Sequence, residues 1–303
     1  MARRSYSTKR PSRLTNINPE YVFNLHCTAI LWRHSVGQDP LVLVNAPLTQ
    51  QELTEYDETG FLVRRGLFSG QEIDRLLESF YLLESKASSL TESTLLDGAQ
   101  FVMAPTGSQD LAIARVVWAG GAAPYLLSIG ADERLTTPAM SLLGTKRLTQ
   151  ILNQAHFKRP GDGIAFDWHQ DIEHRDKGGG TWQNIGQRGS YVQTILVIDA
   201  MDEASGPIEF IPGSQHWGRV RFTSGDDAGT SQHATPLIDP THHDSIPVIG
   251  QPGDVIFFGP YTAHMSKANT SDHYRRVLIN GYATPGANHR VYPGAGLGRV
   301  LEQ

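Results

Sequence analysis

One short segment of the chain, from Phe166 to Asp171, carries residues that can bind a metal ion. It reads Phe-Asp-Trp-His-Gln-Asp, so His169 and Asp171 stand two residues apart. On an extended strand, residues i and i+2 point to the same face, so this imidazole and this carboxylate can bind one ion together. His264, in a short loop after an apolar run, is the candidate third ligand. Two histidines and one carboxylate, with further positions open, form the ligand set of non-haem iron(II) oxygenases.

Further motifs accompany these three residues in a fixed order along the chain. The first, between Tyr56 and Val63, is a tyrosine and an acidic residue followed by Gly-Phe-Leu-Val. The others are Gly-Pro-x-x-x-x-Pro-Gly-Ser at Gly206 to Ser214, Pro-Gly-Asp-x-x-x-Phe at Pro252 to Phe258, and His-x-Ser-x-x-Asn at His264 to Asn269. Together they resemble the phytanoyl-CoA dioxygenase family of iron(II)- and 2-oxoglutarate-dependent oxygenases, over roughly residues 48 to 290. The resemblance is nearest to the ectoine hydroxylase-like subgroup, but the chain lacks that subgroup's full signature after Asp171.

The resemblance implies the chemistry of the site. His169, Asp171 and His264 would bind iron(II). Arg275, eleven residues beyond His264, would bind the far carboxylate of the cosubstrate 2-oxoglutarate, with Ser266 as a second donor. A planar guanidinium suits this task because it is a natural bidentate partner for a carboxylate. The enzyme would use dioxygen, release succinate and carbon dioxide, and hydroxylate an unactivated C–H bond of a small polar metabolite or natural-product intermediate. Desaturation, epoxidation and cyclisation are alternatives to hydroxylation that the resemblance leaves open.

The substrate side of the site is predicted from the segment between Glu173 and Ser190, which directly follows the metal-binding pair. Its glycines indicate mobility, and it carries cationic, aromatic and amide side chains. The candidate substrate contacts are Gln154, Phe166, Arg175, Trp182 and Arg188. These groups favour a small polar substrate, anionic or zwitterionic. The plain alternative is a solvated Gly-rich loop without any substrate contact.

The composition is that of an ordinary globular protein, with 39% hydrophobic and 19% charged residues among 303. The chain has 26 Lys and Arg residues and 31 Asp and Glu residues, which gives a formal charge of −5. This charge offers no sign of binding to nucleic acid or to a membrane surface. A small-molecule partner is therefore expected, and a monomer and a homodimer both remain open. The single cysteine, Cys27, excludes an intramolecular disulfide and favours a reducing compartment, the cytoplasm.

The pattern along the chain predicts a mainly β domain with flanking helices. Short apolar strands alternate with Gly and Pro at Tyr191 to Ile198, Ile208 to Ile211, Val255 to Phe258 and Arg276 to Ala283. Strands of this length and spacing are typical of a jelly roll. The predicted fold is a double-stranded β-helix, a cupin-like jelly roll, with N-terminal helices packed on one sheet. Residues 1–47 are predicted to be a partly disordered N-terminal extension, and residues 48–303 the single domain.

Helix-start signals stand near the beginning of this domain. Thr49-x-x-Glu52 and Ser69-x-x-Glu72 are capping boxes and predict two helix starts, with a strand from Phe61 to Phe68 between them. Residues 86–110 are polar and rich in Gly, Ser and Thr, which predicts a loop. A further helix from Asp132 to Leu143 and a strand from Leu148 to Lys158 complete the expectation.

Two other functions are compatible with parts of this pattern. A cupin-like isomerase or hydrolase would use His169, Asp171 and His264 for zinc or manganese without 2-oxoglutarate. That function leaves Arg275 and Ser266 unexplained. A non-catalytic binding protein on the same fold would be expected to have lost a metal ligand or the arginine, and the chain has lost neither.

Overall fold

The computed structural model describes residues 46–105, 111–177, 179–186, 188–223, 235–294, 296 and 298–302. These residues fall in one compact unit, Leu41–Gln303. The predicted N-terminal extension, residues 1–47, lies almost entirely outside the described residues. Its boundary with the domain at 48–303 therefore stays a prediction.

Strands make up most of the secondary structure in the described part of the chain. They are β1 (Phe61–Arg64), β2 (Thr94–Leu96), β3 (Ala99–Pro105), β4 (Leu111–Val117), β5 (Arg147–Lys158), β6 (Phe166–His169), β7 (Tyr191–Val197), β8 (Ile208–Phe210), β9 (Arg221–Phe222), β10 (Leu237–Ile238), β11 (Ile246–Pro247), β12 (Val255–Phe258), β13 (His264–Ser266), β14 (Arg275–Ala283) and β15 (Arg299–Glu302). The helices are α1 (Gln50–Thr59), α2 (Gly70–Ala87), α3 (Pro124–Ile129), α4 (Glu133–Leu143) and α5 (Ile172–Arg175). None of the described helices has both the length and the apolar character needed to cross a membrane.

Two antiparallel sheets form the body of the fold. The larger sheet has the strand order β1-β12-β7-β14-β5-β4-β3-β2, and β15 pairs with β5 outside this path. The smaller sheet has the order β11-β8-β13-β6. A cavity lined by residues of both sheets lies between them. The predicted mainly β jelly roll with flanking helices is therefore confirmed.

Side chains of the larger sheet alternate between the cavity and a helix-covered face, as the pleat of a strand requires. On β14, Val277 and Ile279 line the cavity, whereas Leu278 and Tyr282 belong to the main hydrophobic core. The apolar stripe of α2 joins that core through Ile73, Leu76, Phe80 and Leu83. The helices thus stabilise one face of the sheet and leave the opposite face for the site.

The two predicted helix starts are confirmed. The Thr49 side chain accepts a hydrogen bond from the N–H of Glu52, and the Glu52 carboxylate accepts one from the N–H of Thr49. Ser69 and Glu72 form the same reciprocal pair at the start of α2. Each box satisfies two of the backbone N–H groups that a helix start leaves without an intrahelical partner.

The predicted loop over residues 86–110 is wrong for residues 94–105, where β2 and β3 form a hairpin, and its last part, residues 106–110, lies outside the described residues. Asp97 and Gly98 make the turn with φ values of 51° and 74°, and Leu96 pairs with Ala99. A two-residue turn with positive φ at both positions matches the twist of a hairpin, and Asp-Gly is a favoured sequence for it. The hairpin continues the larger sheet beyond β4 and contributes to the cavity wall.

Candidate active site

The three predicted metal ligands meet beside the smaller sheet. His169 on β6 and His264 on β13 are direct cross-strand partners, and their ring centroids lie 4.2 Å apart. Asp171 follows two residues after His169. The two imidazoles and this carboxylate offer three ligand atoms that lie within 4.8 Å of one another, close enough for one ion to contact them all.

The strand interpretation of Asp171 is wrong, although its side chain still reaches the site. β6 ends at His169, and Asp171 has helical dihedral angles, φ −61° and ψ −21°, immediately before α5. The N–H of Ile172 donates to the carbonyl oxygen of Pro260 at 2.9 Å, which ties this turn to the loop that precedes β13. A helical turn at the strand end, and not the pleat of a strand, therefore directs the carboxylate towards the two histidines.

Hydrogen bonds and burial prepare the two histidines for metal binding. The Nδ1 of His264 is 2.9 Å from the carbonyl oxygen of Thr262, and the Nδ1 of His169 is 2.6 Å from that of Asp167. A carbonyl can only accept, so each Nδ1 carries the proton and each Nε2 is free to bind a metal. Burial lowers the pKa of His264 to about 3, which keeps this imidazole neutral at physiological pH.

The carboxylate of Asp171 also fits a metal ligand. Burial alone would raise its pKa, but the neighbouring His264, Arg175 and His169 lower the pKa on balance and keep the group ionised. Its Oδ2 atom is buried and accepts no hydrogen bond from any described residue. A buried polar atom without a partner needs an explanation. A bound cation supplies one, and the donor set of two imidazoles and one carboxylate suits iron(II).

The cavity beside these ligands has a volume of about 550 Å³ and is rich in positive charge. Its cationic lining residues are Arg115, Arg175, Lys177, Arg275 and Arg290. Asp171 is the one carboxylate among the described residues that line it. The wall is thus built to receive negative charge next to a metal site.

Arg275 and Arg276 point to opposite sides of the larger sheet, as predicted. Arg275 lines the cavity and is 4% exposed, and its guanidinium forms no hydrogen bond with any described residue. Burial lowers its pKa to about 10, so the guanidinium remains charged at neutral pH. Arg276 instead binds Asp199 through two hydrogen bonds of 2.8 and 2.9 Å. Of these two arginines, Arg276 has a carboxylate partner, and Arg275 has none among the described residues.

Ser266 lines the cavity, and its hydroxyl contacts Lys158, a residue that was not predicted to belong to the site. Lys158 is the cross-strand partner of Arg275, and its Nζ donates to the Ser266 hydroxyl oxygen at 2.8 Å. The same Nζ also donates to the carbonyl oxygens of Gly206 and Lys267. Burial, followed by the charge of Arg275, lowers the pKa of Lys158 to about 7. Two cations and one hydroxyl therefore converge at one end of β14.

Three of the five predicted substrate contacts line the cavity. Gln154 lies on β5, and its side-chain oxygen is 2.9 Å from the Nε2 of His156. Phe166 lines the cavity at the start of β6. Arg175 is buried at the cavity wall, where it donates to the Tyr292 hydroxyl at 3.1 Å and lies over the Tyr191 ring. Arg175 is therefore held by tyrosines and is not the mobile rim residue that was expected.

The other two predicted contacts lie outside the cavity wall. Trp182 packs edge-on against Tyr191 with ring centroids 6.0 Å apart, and its indole N–H donates to Asn184. Arg188 binds both carboxylate oxygens of Asp57, at 2.6 and 2.7 Å. Both side chains contact other parts of the protein, and neither is among the residues that line the cavity.

Comparison with known proteins agrees with this site. A sequence model of the family described as phytanoyl-CoA dioxygenase (PhyH) matches residues 56–277. The ectoine dioxygenase of Sphingopyxis alaskensis is 24% identical over 241 residues, which cover 74% of this chain and 72% of that protein. The L-proline trans-4-hydroxylase of Streptomyces griseoviridis is 28% identical over 146 residues, 43% of this chain and 52% of that protein.

A solved structure shares the fold. It is the crystal structure of EctD from S. alaskensis with 2-oxoglutarate and 5-hydroxyectoine, at a TM-score of 0.61 and 20% identity, with 80% of this chain and 78% of that chain covered. The family match extends over most of the chain and includes Asp171 and both histidines that converge with it. The chain therefore belongs to the phytanoyl-CoA dioxygenase family and is an iron- and 2-oxoglutarate-dependent dioxygenase.

Proposed function

We propose that His169, Asp171 and His264 hold iron(II), that Arg275 and Ser266 bind the 5-carboxylate of 2-oxoglutarate, and that the enzyme hydroxylates a small polar molecule in the cavity. Iron(II) and 2-oxoglutarate supply the oxidation of a C–H bond by dioxygen, with release of succinate and carbon dioxide. The protein residues supply binding, orientation and the exclusion of water.

The observation that carries this proposal is the isolated charge of Arg275. Burying an ionised group without a partner is costly, and buried charges in proteins are ordinarily paired. Arg275 has no partner among the described residues and shares a cavity with the metal ligands. A carboxylate bound there would receive two parallel N–H donors from the guanidinium. If the protein were an isomerase or hydrolase that does not use 2-oxoglutarate, the buried charge of Arg275 would have no function.

Labelled dioxygen tests the proposed reaction without knowledge of the substrate. The protein, loaded with iron(II), is incubated with 2-oxoglutarate under ¹⁸O₂, and the succinate formed is analysed by mass spectrometry. We expect slow turnover of 2-oxoglutarate in which each succinate carries one ¹⁸O atom. Succinate that carries only oxygen from water, or formation that does not depend on iron, would contradict an oxygenase.

We assign Lys158 to the same cosubstrate site as a positioning residue. Because its Nζ donates to the Ser266 oxygen, the hydroxyl hydrogen of Ser266 must point elsewhere, and Ser266 donates to no described residue. That hydrogen is available to a carboxylate held by Arg275. The charge of Lys158 further favours an anion there, since the described partners of its Nζ are two carbonyl oxygens and one hydroxyl and include no carboxylate.

A pH series distinguishes this role from simple packing. Burial, followed by the charge of Arg275, sets the pKa of Lys158 at about 7, while Asp162 opposes the shift and His156 stays neutral. Bound 2-oxoglutarate favours charged Lys158, so binding above pH 7 requires proton uptake and the affinity of the parent falls. We expect Lys158→Met to weaken 2-oxoglutarate binding about tenfold at pH 6.5, and much less at pH 8.5.

The measurement is the dissociation constant of 2-oxoglutarate for parent and variant, by anaerobic titration at pH 6.5, 7.5 and 8.5. Taking the ratio of the two constants cancels pH effects on the metal ligands, which both proteins share. A ratio that stays constant across this range would mean that Lys158 acts only through packing.

The relatives indicate the size of the substrate. The names of the two relatives point to L-proline and ectoine, which are small polar molecules with a carboxylate. A cavity of about 550 Å³ accommodates a molecule of that size beside 2-oxoglutarate. We further propose that the enzyme acts in the cytoplasm, in keeping with its single cysteine. A fluorescent fusion protein in cells of the source organism would test that location.

A further inference from the structure

Arg115 is another cation of the cavity that has no ion pair with any described residue, and it lies apart from Arg275. It lies on β4, where it pairs with Val102 on one side and His156 of β5 on the other. Its guanidinium forms no hydrogen bond or ion pair with any described residue, although the side chain is largely removed from solvent. The function proposed above assigns no role to Arg115.

The register of the strands separates the two arginines. Arg275 opposes Lys158 on one side of β5, and Arg115 opposes His156 on the other side. Neighbouring strands are about 4.8 Å apart, so the backbones of β4 and β14 are separated by roughly 10 Å across the sheet. A carboxylate bound by Arg275 therefore leaves Arg115 free to bind a different anionic group.

Two neighbours of Arg115 complete a polar subsite. Burial lowers the pKa of His156 to about 3, so the ring is neutral. The Nε2 of His156 lies 2.9 Å from the side-chain oxygen of Gln154, which accepts its hydrogen. This bond fixes the carboxamide, and its NH₂ group donates to no described residue. Arg115 and Gln154 can thus donate to one ligand group together.

The charge of the whole cavity favours a ligand that is negative overall. Five cationic side chains and one carboxylate line it among the described residues. Iron(II) and dianionic 2-oxoglutarate cancel each other, so the excess of positive charge persists after both have bound. The one carboxylate among the described lining residues that could pair with a ligand ammonium is Asp171, and Asp171 is a metal ligand in the proposed site. The cavity therefore suits an organic anion better than a neutral zwitterion.

We propose that the primary substrate is a small organic acid without a compensating ammonium group, and that Arg115, assisted by Gln154, binds its anionic group. This inference rests on the proposed function, since it places the acid beside bound 2-oxoglutarate. Arg115 then sets substrate specificity. It takes no part in binding the cosubstrate.

Three molecules of one shape test the proposal: cyclohexanecarboxylate, cyclohexanecarboxamide and cyclohexylammonium, with charges of −1, 0 and +1. Each is titrated anaerobically into the protein saturated with iron(II) and 2-oxoglutarate, with calorimetric detection. We expect the carboxylate to bind at least about tenfold more tightly than the amide, since a charge-assisted hydrogen bond is worth roughly 1.5 kcal/mol or more. Cyclohexylammonium is expected to show no binding.

Variants identify the residue responsible. Arg115→Gln should abolish the preference for the carboxylate, Arg115→Lys should retain part of it, and Arg147→Gln, which removes an exposed cation of β5 paired with Glu302, should leave it unchanged. The affinity for 2-oxoglutarate should stay within twofold of the parent in all three.

Three results would overturn the inference. The first is equal binding of carboxylate and amide by the parent, which would mean that the cavity does not select an anion. The second is weakened 2-oxoglutarate binding in Arg115→Gln, which would place Arg115 at the cosubstrate. The third is absence of 2-oxoglutarate binding by the parent in the first stage of the titration, which would overturn the proposed function and this inference with it.

Discussion

Replacing Asp171 with alanine is expected to abolish 2-oxoglutarate turnover. The substitution removes the one anionic ligand of the site and leaves two imidazoles, which do not compensate the charge of iron(II). Loss of a hydrogen-bond partner that only orients a metal ligand costs about 10- to 100-fold in metal affinity or activity, so loss of a direct ligand should exceed about 100-fold. The measurements are succinate formation and the dissociation constant of iron(II).

A matched control lies on β6, the strand that precedes Asp171. Asp167 is exposed, its carboxylate forms no hydrogen bond with any described residue, and only its backbone carbonyl contacts His169. Asp167→Ala should therefore retain the iron affinity and turnover of the parent. Thermal unfolding of both variants without metal shows whether either change affects the fold. Turnover of Asp171→Ala within tenfold of the parent would remove Asp171 from the metal site.

Replacing Arg275 with methionine is expected to change cosubstrate affinity and stability in opposite directions. The dissociation constant of 2-oxoglutarate should rise by about 100-fold, because a bidentate charge-assisted contact is lost. The free energy of unfolding of the protein without 2-oxoglutarate should rise by about 1 kcal/mol or more, because a buried cation without a partner is replaced by an apolar side chain of similar length. Urea unfolding measures the second effect.

The neighbouring arginine provides the control. Arg276→Met should lower the free energy of unfolding by about 1–3 kcal/mol, because the partly buried Asp199 loses its partner. Its affinity for 2-oxoglutarate should not change. If Arg275→Met were less stable than the parent without 2-oxoglutarate, Arg275 would be a structural residue and the charge of the cavity would have to be reinterpreted.

The sequence was sufficient for the features that depend on local chemistry. The capping boxes at Thr49 and Ser69 form as predicted, because each needs only residues three positions apart. The opposite orientation of Arg275 and Arg276 follows from the pleat of any strand. The meeting of His169, Asp171 and His264 followed from the order of the motifs, even though Asp171 lies on a helical turn.

The features that depend on pairing between distant strands could not be predicted in this way. Lys158 lies opposite Arg275, and Arg115 lines the cavity, because β5 pairs with β14 and β4 in one particular register. Neither residue lies in a motif. Arg188 was expected at the substrate, but a partner 131 positions away, Asp57, holds it elsewhere. The hairpin at Asp97 and Gly98 is different. The Asp-Gly turn signal was present in the sequence. The residues around it are polar, however, and this composition led to the prediction of a loop in place of two strands.

The central claim is that one cavity binds iron(II) and 2-oxoglutarate together. The most direct test is an anaerobic titration of metal-free protein, first with iron(II) and then with 2-oxoglutarate, followed through the weak visible absorption band of the iron–2-oxoglutarate complex. We predict that the band appears and saturates at one 2-oxoglutarate per chain, and that Arg275→Met needs about 100-fold more 2-oxoglutarate to reach the same absorbance. Iron binding without any band, at any concentration of 2-oxoglutarate, would contradict the account and favour a metal-dependent isomerase or hydrolase.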